Sequence, residues 1–196
     1  MTLRSLVLGM TVLALIGFGY TLARAVYYVP GDATYAPTTS PPYAAASAEP
    51  PPARLVIPAI GVNANVQQVG VAKSGAMGVP NNFTDVAWYK YGPAPGQAGN
   101  AVIDGHVDNG LALPGVFKHL DEVHAGDTIG IETASSTMMS FTVDEVARYP
   151  MDSVPLTRVF ARGGASMLVL ITCTGTWVPD ARTYDTRLVV YAHRTS

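Results

Sequence analysis

The sequence has one cysteine, few charges and no run of like charge. A single cysteine in 196 residues excludes an intrachain disulfide framework, so Cys173 is either a packed core thiol or a reactive one. Asp, Glu, Lys and Arg make up only 13% of the chain, and the formal net charge is −2. Without a basic stripe to neutralise a phosphate backbone, nucleic-acid binding has no electrostatic support. There is no internal repeat, no recognised zinc spacing and no acidic cluster that would indicate calcium, so neither a metal nor a cofactor is expected. Apolar residues are abundant: 48% of the chain is hydrophobic, enough for one domain with a core and some additional segments.

Those segments lie at the amino terminus. SLVLGMTVLALIGFGYTL, Ser5 to Leu22, carries no charge and is near the lower length limit for a bilayer-spanning helix. Arg4 and the amino terminus precede it, which favours an inside amino terminus, while Arg24 on the far side works against that rule. Ala23-Arg24-Ala25 resembles a signal-peptide cleavage site. The retained anchor is preferred because the apolar run is long for a signal-peptide core. Residues 1–25 therefore read as a membrane anchor, with the remainder as a single-pass extracytoplasmic portion. Residues 26–53 are rich in Pro, Ala, Ser and Thr. Pro41-Pro42 and Pro50-Pro51-Pro52 exclude helix and sheet there, leaving an extended tether.

The folded domain is expected over 54–196, built from short strands. RLVIPAIGV is rich in branched residues. Asn100–Ile103, Thr128–Glu132, Met138–Tyr149 and Arg187–Ala192 read as strands, and Phe141, Val143 and Val146 give the third a buried side. Met167–Thr172 is apolar throughout, as expected of a strand buried on both faces. Gly92-Pro93, Pro95-Gly96, Ala125-Gly126-Asp127 and Arg162-Gly163-Gly164 mark turns. One short helix is expected at Pro114–Leu120, with proline at a permitted early position. Many short strands with frequent turns predict an all-β barrel or sandwich.

Three residues stand out for chemistry. Cys173 follows the apolar run, so the thiol is expected at a strand end facing a cleft. His106, in AVIDGHVDNG, ends another apolar strand within a polar turn. A histidine beside a cysteine can take its proton or hold it as an ion pair. Arg187 opens the last apolar strand and supplies a permanent cation for an oxyanion or a peptide carbonyl. Taken singly, each has an ordinary structural explanation; their order, each at a strand end, does not follow from those explanations. Asp104, His106 and Asp108 alternate along the chain, so a metal set completed by His119 and His124 is a rival. His193 is expected to face solvent.

These segments resemble the sortases, cysteine transpeptidases of the Gram-positive cell surface, over nearly all of Arg54 to Ala192. RLVIPAIGVNANV is similar to the opening strand of that family, and PGQAGNAVIDGH to the stretch leading to its catalytic histidine. GVFKHLDEVHAGDTI resembles the following helix and strand, VLITC the T-L-x-T-C signature, and RTYDTRLVVYA the closing segment. Val169 stands where the signature has its first threonine, while Thr172 is kept. The resemblance implies an eight-stranded β-barrel with one or two short helices. It also implies catalytic roles for His106, Cys173 and Arg187, with Thr172 orienting substrate or Arg187. The implied substrates are exported proteins with a carboxy-terminal LPxTG-like sorting signal, cleaved between Thr and Gly through a Cys thioester. The acyl group would then pass to an amine of a peptidoglycan precursor or a pilin. No lid motif is seen, which favours a housekeeping or class E/F-like role over pilus assembly. Two other classes of function compete. A non-catalytic β-domain for adhesion or signalling would bury Cys173, and a metal-dependent hydrolase would tolerate its loss.

Overall fold

A computed structural model of the chain describes residues 3–27, 49–109 and 111–195. The proline-rich tether expected over 26–53 falls mostly outside these residues. The apolar amino-terminal run lies within one helix, α1 (Leu3–Tyr27). Among the described residues, no helix is long and apolar enough to cross a membrane, so the expected spanning helix is not found.

The domain is a closed eight-stranded barrel. β1 (Pro52–Ile57) enters a 3₁₀ turn, Pro58–Ile60, closed by Gly61 at φ 66. That left-handed conformation suits glycine and turns the chain back into β2 (Val62–Val69), paired antiparallel with Ile57 opposite Val62. β2 runs parallel to β3 (Val86–Tyr89), which pairs antiparallel with β4 (Gly99–Gly105). β5 (Thr128–Thr133) and β6 (Met138–Pro150) follow as an antiparallel pair, then a short helix α2 (Leu156–Val159). β7 (Ser166–Val178) returns parallel to β4, and β8 (Thr183–Arg194) is antiparallel to both β7 and β6. Pairing of β5 with β1 closes the ring.

Strand alternation divides the side chains between two apolar clusters. Leu55, Ile103, Phe141, Leu168, Leu170, Leu188 and Val190 fill the barrel with Phe117. Val102, Val169, Val189 and Tyr191 face outward and are covered by Val159 of α2, Phe160 and Tyr89. β4 and β7 are therefore buried on both faces, which is why AVI and LVLI read as unbroken apolar runs. Asn100 ties α2 to this outer face, its side-chain amide donating to Arg158 O (2.7 Å) and Val159 O (3.2 Å).

The helix expected at Pro114–Leu120 is absent; only a 3₁₀ turn, Leu120–Glu122, forms there. Gly115 N–H donates to Val107 O and Phe117 N–H to His106 O, so these donors are spent on the segment after β4 instead of on helical carbonyls. The strands are also longer than expected. β7 continues five residues past Cys173 and β8 starts four residues before Arg187. Neither residue is at a strand end, because the β7–β8 hairpin projects beyond the barrel rim.

Candidate active site

The site is set by register across three adjacent strands. β4 and β7 are parallel, with Ile103 opposite Leu170 and Asp104 opposite Ile171. Carrying that register two residues further brings His106 level with Cys173. Cys173 is in turn paired with Arg187 on β8. His106, one residue past the end of β4, thus forms a row with Cys173 and Arg187, which are direct neighbours on paired strands. β4 stops at Gly105, so the barrel wall opens where β7 presents Cys173.

All three line one groove of about 740 Å³ on the outer face. Its far end is apolar, formed by Met77, Tyr89, Val154, Phe160 and Ile171; Trp177, Arg182 and Tyr184 of the hairpin border the polar end. Trp177 packs edge-on against Tyr184 at 5.4 Å, and Tyr184 Oη donates to Asp108 Oδ2, joining the hairpin to the segment after His106. That bond and desolvation push the Tyr184 phenol up to about 12.

Each side chain is held locally. The His106 ring lies 4.9 Å from the Phe83 ring, and its Nε2 is 3.1 Å from Pro80 O. A carbonyl only accepts, so Nε2 carries the proton and Nδ1 the lone pair. Burial lowers the His106 pKa, opposed by Pro80 O and by Asp108. The 80–85 segment is fixed by Asp85, which accepts from Gln67 Nε2 and Asn82 Nδ2, both at 2.8 Å. Cys173 is half-buried; burial raises its thiol, with Arg187 and Asp104 pulling in opposite directions. Arg187 donates from Nη1 to Tyr184 O (2.8 Å) and Thr186 O (3.0 Å), and from Nη2 to Thr183 Oγ1 (3.0 Å).

Thr172 is expected to orient substrate or Arg187. It alternates to the opposite face from Cys173, is 1% exposed, and donates from Oγ1 to Gly105 O at 2.7 Å. Its hydroxyl ties β7 to the last residue of β4, just before His106. The rival metal set does not converge. Among the described residues, no three of His, Cys, Asp and Glu are grouped to hold an ion. His119 pairs with Glu122 and His193 with Asp144, both on the surface. Sequence reading missed Pro80 and Phe83, in the segment between β2 and β3 with no periodic pattern, and Tyr184, in the part of β8 that precedes Arg187. The TYD beside Arg187 was the one available signal for the last.

Residues 55–195 match the family model for the sortase domain. No curated protein matches the chain. Solved structures with a similar fold include sortase C-1 from Actinomyces oris, at 21% identity over 73% of this chain and 73% of that one, with a TM-score of 0.55. Sortase A from Corynebacterium diphtheriae is similar at 23% identity over 76% of this chain and 62% of that one, with a TM-score of 0.56. Sortase C1 of GBS Pilus Island 1 matches at 22% identity over 73% of this chain and 64% of that one, with a TM-score of 0.55. The chain therefore spans slightly under two thirds of some of these relatives. With the matched region covering the whole barrel, this chain belongs to the sortase family of cysteine transpeptidases.

Proposed function

We propose that the protein cleaves an LPxTG-like sorting signal on exported proteins between Thr and Gly and transfers the new acyl end to an amine. The observation that carries this reading is the row of His106, Cys173 and Arg187 at the open end of the groove. Cys173 passes its thiol proton to the Nδ1 lone pair of His106 as its sulfur attacks the Thr carbonyl carbon, and the carbonyl π electrons move to oxygen. Arg187 faces that oxygen with a fixed positive charge. The C–N bond breaks as His106 gives its proton to the departing Gly nitrogen, leaving a thioester. An incoming amine attacks the thioester carbon and His106 takes the amine proton; the C–S bond then breaks, and His106 returns that proton to the sulfur to restore the thiol.

Both pKa shifts oppose the ion pair. Burial lowers the His106 imidazole and raises the Cys173 thiol, so both groups favour their neutral forms. The empty site is thus mostly neutral thiol and neutral imidazole, and the reactive fraction is small but continuously replenished. The apolar end of the groove accommodates the aliphatic part of the signal. Thr172 acts through Gly105 to position His106, without touching substrate.

The amine belongs to a peptidoglycan precursor or a pilin, and the housekeeping or class E/F-like role is retained. Attachment to the cytoplasmic membrane is favoured by the exposed Leu13, Leu15, Ile16 and Phe18 of α1. Alkaline extraction of cell membranes tests it: release of the full chain into the soluble fraction would refute attachment.

Intact-mass analysis after incubation with LPxTG-type peptides tests the chemistry. An adduct equal to the fragment ending at Thr, on the wild type and absent from Cys173→Ala, is expected. An adduct that persists in Cys173→Ala would refute the nucleophile.

A further inference from the structure

Of the ionisable groups in the groove that this mechanism does not use, Asp104 lies beside the reacting row. Asp104 is on β4, on the outer face, one position before the strand ends. It is opposite Ile171 on β7, and Ile171 is opposite Val189 on β8. Asp104 therefore lies one step below the His106–Cys173–Arg187 row and diagonal to Cys173. Its β3 neighbour is Ala87, too short to offer a partner. Val102 precedes it on the same face. The Gly105 N–H is its hydrogen-bond donor.

We propose that Asp104 is a charge-positioning residue: it competes with Cys173 for the Arg187 cation, and its proton load decides how much of that charge the thiolate receives. This rests on Cys173 being the nucleophile. The charged and titratable groups around Asp104 are Cys173 from β7, Arg187 from β8, His106 and Asp108 after β4, Tyr89 from β3 and Tyr184 from the hairpin; Arg162 and Arg182 lie further along the groove wall. Arg187 is the only one of these that lowers the Asp104 pKa, and it also lowers that of Cys173. Loss of solvation outweighs it and pushes the Asp104 carboxyl up to about 7. Below that pH Asp104 is neutral and Arg187 serves the sulfur alone. Above it, two negative groups share one cation and the thiolate is disfavoured.

The test is the pH dependence of Cys173 alkylation by iodoacetamide in the full chain, which needs no peptide. Asp104→Asn keeps the size and removes the charge. Its alkylation midpoint is expected about one pH unit below wild type, so that the rate rises only about twofold at pH 7, where half of Asp104 is already neutral, and climbs toward roughly tenfold above pH 8. A purely structural role would leave the midpoint in place, and an unchanged or higher midpoint in a variant that still melts cooperatively overturns the proposal. A second measurement needs no substitution. The Asp104 side-chain carboxyl carbon, followed by NMR in the wild type, is expected to titrate near 7, and a midpoint in the ordinary carboxylate range overturns the proposal equally. A lowered midpoint in a protein that forms no thioester with any sorting peptide would refute the transpeptidase reading and leave Asp104 its role.

Discussion

Thr172→Val separates two roles for this residue. The substitution keeps the branched shape and removes the hydroxyl. At 1% exposure no water replaces it, and Gly105 O loses a partner at 2.7 Å. A lost neutral hydrogen bond with a buried carbonyl left underused costs about 1–2 kcal/mol. For a domain of this size that corresponds to a Tm lower by roughly 3–8 °C. The functional effect follows from position. Gly105 immediately precedes His106, and the row depends on the β4 end staying in register with β7. A small displacement of His106 lowers kcat about tenfold and leaves KM nearly unchanged, because no substrate contact is lost. Thr172→Ser, which keeps the hydroxyl, recovers most of kcat. The assay is steady-state transpeptidation with a sorting peptide, alongside thermal unfolding. A variant with wild-type Tm refutes the buried bond. A raised KM with unchanged kcat refutes the positioning role and restores the substrate contact inferred from the sequence.

Burial that lowers His106 and raises Cys173 gives turnover a broad bell in pH, with limbs below 6.5 and above 9.0; a profile with both limbs inside that window, measured as kcat/KM of the free enzyme, contradicts the shifts. Arg187→Ala is expected to lose about 10²–10³ in kcat while Cys173 still alkylates, and Arg187→Lys to recover only part, because an ammonium lacks the planar fork; unchanged turnover in the alanine variant removes Arg187 from the chemistry. Gly115→Ala places a Cβ 2.3 Å from His106 O, which is backbone and cannot swing aside, so a Tm lower by several degrees and reduced turnover are expected; a melting curve identical to wild type refutes that close approach.

Much of the barrel was legible locally. β5, β6 and the opening strand appear within a residue or two of their expected places, because alternation and turn residues act over a few neighbours. The same local rules failed at Pro114–Leu120, where the N–H donors go to His106 and Val107, partners outside the segment. They also ended β7 at Cys173, since TGTW does not reveal that Tyr184 and Thr183 will pair with it across a hairpin.

The sequence by itself determined the all-β character, the two-faced burial of Met167–Thr172 and the chain order of His106, Cys173 and Arg187. Only the tertiary structure decided that these three form one row, that Thr172 turns inward to Gly105, and that Asp104 shares the groove as a partly desolvated acid. The physical reason is distance along the chain. Periodicity and turn chemistry are short-range. The pairing of Asp104 with Ile171 joins segments separated by two strands and a helix, and a shift of one residue in that register would turn every one of these side chains to the other face.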